Sequence, residues 1–133
     1  MDHITSIVQI GARGPGSALP TDLKDAEAWG AKIFSGRSIH AHGVQSAIQA
    51  VPQGADVILS VDVDGLDPML VPGVILPAFG GLSYQQLIDI IEGLTVKANI
   101  VEANFVEYVP EKDPTGIGGQ AIARLACVLI ASL

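Results

Sequence analysis

The sequence predicts an α/β protein in which a parallel sheet is flanked by helices on both faces. Three observations carry this expectation. Hydrophobic residues make up 49% of the chain but aromatics only 5%, so aliphatic side chains dominate the apolar surface, as in sheets buried on both faces. Strand-like runs alternate with helix-like runs along the chain, the order that builds parallel sheets through helical crossovers. The strongest strand, "ADVILSVDVD" (55–64), runs into carboxylates and then a Gly/Pro-rich loop, and such sheets bind ligands at the carboxyl ends of their strands.

The elements follow in order. "SIVQIGAR" (6–13) is an apolar run that enters a Gly/Pro loop and is expected as a buried strand. "TDLKDAEAWG" (21–30) is expected as a short helix, capped by Thr21 or Asp22 and stopped by Gly30. "AKIFSG" is a short strand, and "SIHAHGVQSAIQAVP" (38–52) is expected as one helix. After the strand at 55–64, the loop from Gly65 to Gly81 holds three prolines. Ser83 then opens a helix: Gln86, three residues on, completes a capping box, and "LIDIIEGL" continues at helical spacing. "ANFVEYV" (103–109) is expected as a strand and "GIGGQAIARLACVLIASL" (116–133) as the closing helix.

Composition excludes several classes of function. The chain has 133 residues, the size of one domain or part of one. A net charge of −7 argues against nucleic acid, which requires a basic face. It suits metal ions or a cationic ligand, and equally a protein kept soluble by its charge. There is no uncharged apolar run of membrane-spanning length. The start, "MDHITSIVQIG", lacks the features of a signal peptide. The single cysteine, Cys127, lies in an apolar run, so it is expected to be a core thiol in a reducing cytoplasm.

The chemistry concentrates in "SVDVDGLDP" (60–68). On a continuous strand, Ser60, Asp62 and Asp64 share one face. Two neighbouring carboxylates repel, and a divalent cation removes that cost. All-oxygen donors favour Mg, Ca or Mn. The competing explanation is a strand end with solvated or loop-capping aspartates. An EF-hand loop is excluded: counted from Asp62, Gly65 is at position 4 and Gly73, rather than Glu, at position 12.

In full, "SVDVDGLDPMLVPGVILPAFGGLS" resembles the signature of the ureohydrolases, the arginase and agmatinase family. The matching positions are Ser60, Asp62, Asp64, Asp67, Pro68, Pro72, Gly73, Pro77, Gly80, Gly81, Leu82 and Ser83. "VQIGARG" and "FVEYVPEKDPTGIGGQAIARL" are similar to two further family segments, and the agmatinase-like branch is the nearer one. The resemblance implies the C-terminal portion of an arginase-like three-layer α/β/α fold, with 1–133 a single partial domain. It also implies a hydrolase of linear amidines or guanidines that uses two Mn²⁺ ions to activate water, converting agmatine to putrescine and urea. Carried over residue by residue, Asp62 and Asp64 are metal ligands and Glu107 binds the guanidinium of the substrate; Asp67 is expected to fix the loop with Pro68 rather than bind metal, and Arg13 to be structural rather than line the site. The G-G-D-H and D-A-H-x-D segments that complete the family's metal site have no counterpart here, and His3, His40 and His42 stand outside such motifs. The isolated chain is therefore expected to be inactive, and to form a homo-oligomer or to pair with the missing N-terminal half. The alternative is a non-catalytic interaction or scaffold half-domain with a weak acidic metal site.

Overall fold

The structure, a computed structural model, describes residues 3–14 and 18–133. The elements are β1 (Val8–Ala12), α1 (Pro20–Trp29), β2 (Lys32–Ser35), α2 (Gly36–His42), α3 (Gln45–Ala50), β3 (Asp56–Asp62), α4 (Tyr84–Lys97), β4 (Asn99–Val106) and α5 (Ile117–Ser132). Two single 3₁₀ turns, Val63–Gly65 and Pro110–Lys112, follow β3 and β4.

All strand pairing is parallel. β1 pairs with β2, and β3 with β4 in register from Asp56↔Asn99 to Asp62↔Val106. The strands form two separate pairs rather than one continuous ladder, each closed by a crossover that contains helix. Parallel strands cannot be joined by a tight turn, so every crossover here has to be helical or long.

The helices lie where the capping chemistry puts them. Ser83 Oγ accepts the N–H of Gln86 at 3.1 Å, and Gln86 Oε1 accepts the N–H of Ser83 at 2.9 Å. This is the expected capping box of α4. For α1 the cap differs: Leu19 is the N-cap residue, and Asp22 reaches back to accept its N–H at 2.9 Å. The expected helix over 38–52 is broken into α2 and α3. Gly43 has φ of +79°, a left-handed conformation that only glycine adopts without cost.

The core forms between α2, α3, α4 and α5 and one face of β3 and β4. Ile39, Ile91 and Leu125 are among its most deeply buried side chains. Along β3, Val57, Leu59 and Val61 face this core, while Asp56, Ile58, Ser60 and Asp62 are exposed. That alternation marks a sheet covered on one side only. Cys127 is not a core thiol: it lies on the exposed side of α5. The burial of Ala121, Leu125 and Leu129 fixes the orientation of α5, and Cys127 falls opposite them at helical spacing. Among the described residues, no helix is long and apolar enough to cross a membrane.

Candidate functional site

The carboxyl ends of β3 and β4 lie side by side because their register pairs Asp62 with Val106. Asp62 is the last residue of β3 and Glu107 the first residue beyond β4. Asp64 is not on the strand, so it does not share a strand face with Ser60 and Asp62. It sits in the 3₁₀ turn, where its N–H donates to the Asp62 carboxylate at 3.3 Å. The turn forms because Val63 and Leu66 are both buried. A two-residue strand period cannot bury positions three apart, whereas a 3₁₀ turn can.

Asp62 lies in the field of the other two carboxylates. Asp62 has its pKa raised above the ordinary carboxylate value, first by burial and then by the charges of Asp64 and, further off, Glu107. The N–H of Asp64 opposes these effects only in part. Like charges held together in this way bind a cation more favourably than they bear being left alone.

Glu107 has φ of +67°, and no other described non-glycine residue has a positive φ. Such a conformation costs on the order of 1 kcal/mol, so its surroundings must hold it. They do so through Asp113. That buried side chain, 4% exposed, accepts the Tyr108 hydroxyl at 2.9 Å, the Gly119 N–H at 3.0 Å and the Thr115 hydroxyl at 3.3 Å. Burial alone would raise the Asp113 pKa, but these bonds outweigh it and lower it. The N–H of Val109 adds a bond to the Gly73 carbonyl at 2.8 Å. Glu107 is thus presented by a braced loop.

Arg13 and Asp67 organise the loop between β3 and α4. Arg13 donates to the carbonyls of Asp64, Leu66 (3.2 Å) and Ala78 (2.8 Å). Asp67 accepts the N–H groups of Met69 and Gly80, each at 3.0 Å. His40 Nε2 lies 3.0 Å from the Gly81 carbonyl, which only accepts, so this nitrogen carries the proton. His42 Nδ1 lies 3.2 Å from the Ser38 carbonyl. Both imidazoles therefore serve the backbone. The bracing by Asp113 and Tyr108 was not anticipated from sequence, although "DPTG" ahead of a helix is a turn-and-cap signal that marks it.

The pH behaviour of Asp67 follows from these bonds. Its pKa is lowered, first by the Met69 N–H, against a raising contribution from burial, and then by Gly80, Gly81 and Arg13. A depressed carboxylate stabilises the fold above its unfolded pKa of about 3.9, and that contribution is lost as pH falls through the lower folded value. Asp67→Asn is expected to flatten the acid arm of the stability curve. Thermal unfolding between pH 6 and about pH 3 checks it; parallel curves for the two proteins would contradict the assignment.

The Arginase family model matches residues 1–133. The chain belongs to the arginase family. The N(1)-aminopropylagmatine ureohydrolase of Thermus thermophilus is 36% identical over 105 residues, covering 78% of this chain and 34% of that protein. The agmatine ureohydrolase structure from Thermoplasma volcanium superposes with a TM-score of 0.81 at 31% identity, covering 95% of this chain and 41% of that one. The arginase structure from Bacillus caldovelox gives 0.77 at 29%, covering 90% and 41%. The chain thus carries part of an arginase-like α/β fold and spans about a third of the length of the curated relatives it matches. Its relatives in that family include proteins named as an N(1)-aminopropylagmatine ureohydrolase and an agmatinase.

Proposed function

We propose that this chain contributes the Asp62, Asp64 and Glu107 portion of a manganese-dependent ureohydrolase acting on linear guanidines, with agmatine as the model substrate. The observation that carries this reading is the meeting of three carboxylates at the paired ends of β3 and β4, one of them on a strained backbone. Asp62 and Asp64 would hold Mn²⁺, since hard oxygen donors suit it. When bound, the metal supplies Lewis acidity and a water of lowered pKa. Glu107 would accept two guanidinium N–H groups side by side, a planar pairing that orients the carbon to be attacked. The products would be urea and an amine.

Two carboxylates fit such an ion only in part. Among the described residues, no group of three or more His, Cys, Asp or Glu side chains could hold a metal. This favours a site completed by residues outside the chain, with 1–133 acting as one portion of a catalytic domain. Such completion could come from a further portion of the family fold or from a second copy. The open face of β3 and β4, with Ile58 53% and Val101 58% exposed, offers a surface for it. The same observation supports a second reading, a non-catalytic half-domain with a weak acidic metal site.

Titration calorimetry of the chain with Mn²⁺, with Asp62→Ala as control, tests the metal assignment that both readings share. Weak binding, on the order of millimolar, that disappears in Asp62→Ala is expected, together with negligible guanidine hydrolysis. Heats unchanged by Asp62→Ala would sink the assignment. Turnover at rates typical of enzymes would show that the chain needs no further ligands.

A further inference from the structure

A cleft lies where the loop after β3, the start of α4 and the first turns of α5 come together. Its volume is about 270 Å³, and Leu70, Tyr84, Ile117, Gln120, Ala121 and Arg124 line it. The four α5 residues stand at i, i+3, i+4 and i+7, so they form one stripe along that helix. Tyr84 is the first residue of α4 and packs against the core, which makes it a fixed part of the wall. None of these residues belongs to the carboxylate site.

The wall is chemically uneven. Leu70, Ile117 and Ala121 are apolar, and Ile117 is 50% exposed. Gln120 and Arg124, one helical turn apart, are the polar members on α5, and Tyr84 adds a phenol from α4. Among the described residues, no carboxylate pairs with the Arg124 guanidinium and no hydrogen bond engages it. No acidic side chain lines the cleft. Asp113, just ahead of α5, is bound instead to Tyr108, Thr115 and the Gly119 amide. The first amides of α5 are taken as well: the N–H of Ile117 donates to Thr115 Oγ1 at 3.4 Å and that of Gly119 to Asp113. Recognition of an anion here therefore falls to side chains.

We propose that this cleft binds a small carboxylate with an apolar body. The planar Arg124 fork matches a carboxylate through two parallel N–H···O bonds. Gln120 adds an amide donor, and Leu70, Ile117 and Ala121 receive the body. A largely apolar wall with a few polar groups is the usual make-up of a ligand site, and a volume just under the range of about 300–1,000 Å³ for drug-sized ligands sets a small occupant. Inorganic phosphate would gain the charge pairing but bury no apolar surface. The net charge of −7 opposes any anion from afar. At ~0.1 M salt that field is screened beyond about 10 Å, whereas a contact pair is not.

Benzoate is the probe, benzamide its uncharged counterpart and inorganic phosphate the anion without an apolar body. Binding to the 133-residue chain is followed by amide NMR shifts in metal-free buffer, so that chelation plays no part. Benzoate is expected to move the amides around Gln120 and Arg124 and to bind about tenfold tighter than benzamide. Arg124→Gln should abolish that advantage while changing benzamide binding by less than about twofold. Arg124→Lys, which keeps the charge but not the fork, should fall between. Ile117→Asp should weaken benzoate and benzamide together. Arg124 is exposed, so its variants are expected to melt with the parent, and lost binding then reports the contact rather than the fold. Benzoate and benzamide binding alike, or benzoate indifferent to Arg124→Gln, overturns the proposal. Phosphate binding as tightly as benzoate would make Arg124 a plain surface cation and overturn it too, as would the absence of binding by all three.

Discussion

Replacing Gly81 by alanine is expected to destabilise the chain by roughly 2–4 kcal/mol. A Cβ at this buried position would run into the Leu66 carbonyl and the Asp67 nitrogen. These are backbone atoms, which cannot turn aside as a flexible side chain can. Ladder bonds also hold the crossing on both sides: the N–H of Leu82 donates to the Gly65 carbonyl at 2.9 Å, and the N–H of Asp67 to the Leu82 carbonyl at 3.0 Å. The two segments cannot separate without breaking the Leu66–Leu82 bridge. Denaturant unfolding followed by circular dichroism measures the effect. Wild-type stability in Gly81→Ala would mean that the loop after β3 is not clamped to the start of α4 in this way.

The second large effect is expected at Asp113. Asp113→Ala removes the acceptor shared by Tyr108, Thr115 and the Gly119 amide, and a buried donor left unpaired is costly. The melting temperature should fall by on the order of 5 °C or more. The consequence for the site is more specific. Glu107 adopts its left-handed conformation because the residues just beyond it are fixed, and without Asp113 that restraint is lost. Hydrogen exchange at the Gly119 amide should quicken sharply in the variant. Tyr108→Phe, which leaves the Gly119 bond in place, should show a smaller change in the same direction. Equal exchange rates in Asp113→Ala and the unmodified chain would remove Asp113 from this role.

These residues also show how much of the site is legible in the sequence. Asp62 and Asp64 stand out because carboxylates at the end of an apolar run demand a reason, whereas Glu107 is singled out by the resemblance to the family. Asp67 and Arg13 are expected to build loops, and their contacts are with backbone groups of the β3–α4 loop. Alternation in "VDVD" mimics the strand period and points to a strand position for Asp64, whereas the burial of Leu66 ends the strand early. The expectation of a core thiol at Cys127 fails because an apolar neighbourhood in sequence does not say which side of α5 faces the core. The break between α2 and α3 depends on the conformation of Gly43, which a helix-compatible sequence conceals.

What the sequence determined by itself was local and periodic: the alternation of strands and helices, the capping box at Ser83, the stop at Gly30 and the carboxylates at strand ends. Its signature residues from Ser60 to Ser83 also identified the family. The tertiary structure decided which of these features meet. Parallel pairing of β3 with β4 sets Asp62 beside Val106 and hence near Glu107, 45 positions away in the numbering. Asp113 braces the loop that holds Glu107, and Arg13 ties the Asp64 turn to the loop at Ala78. The physical reason is that propensity and capping act within a few residues. The convergence of distant carboxylates depends on strand register and on close backbone approach, as at Gly81, and neither is written in any short stretch of the chain.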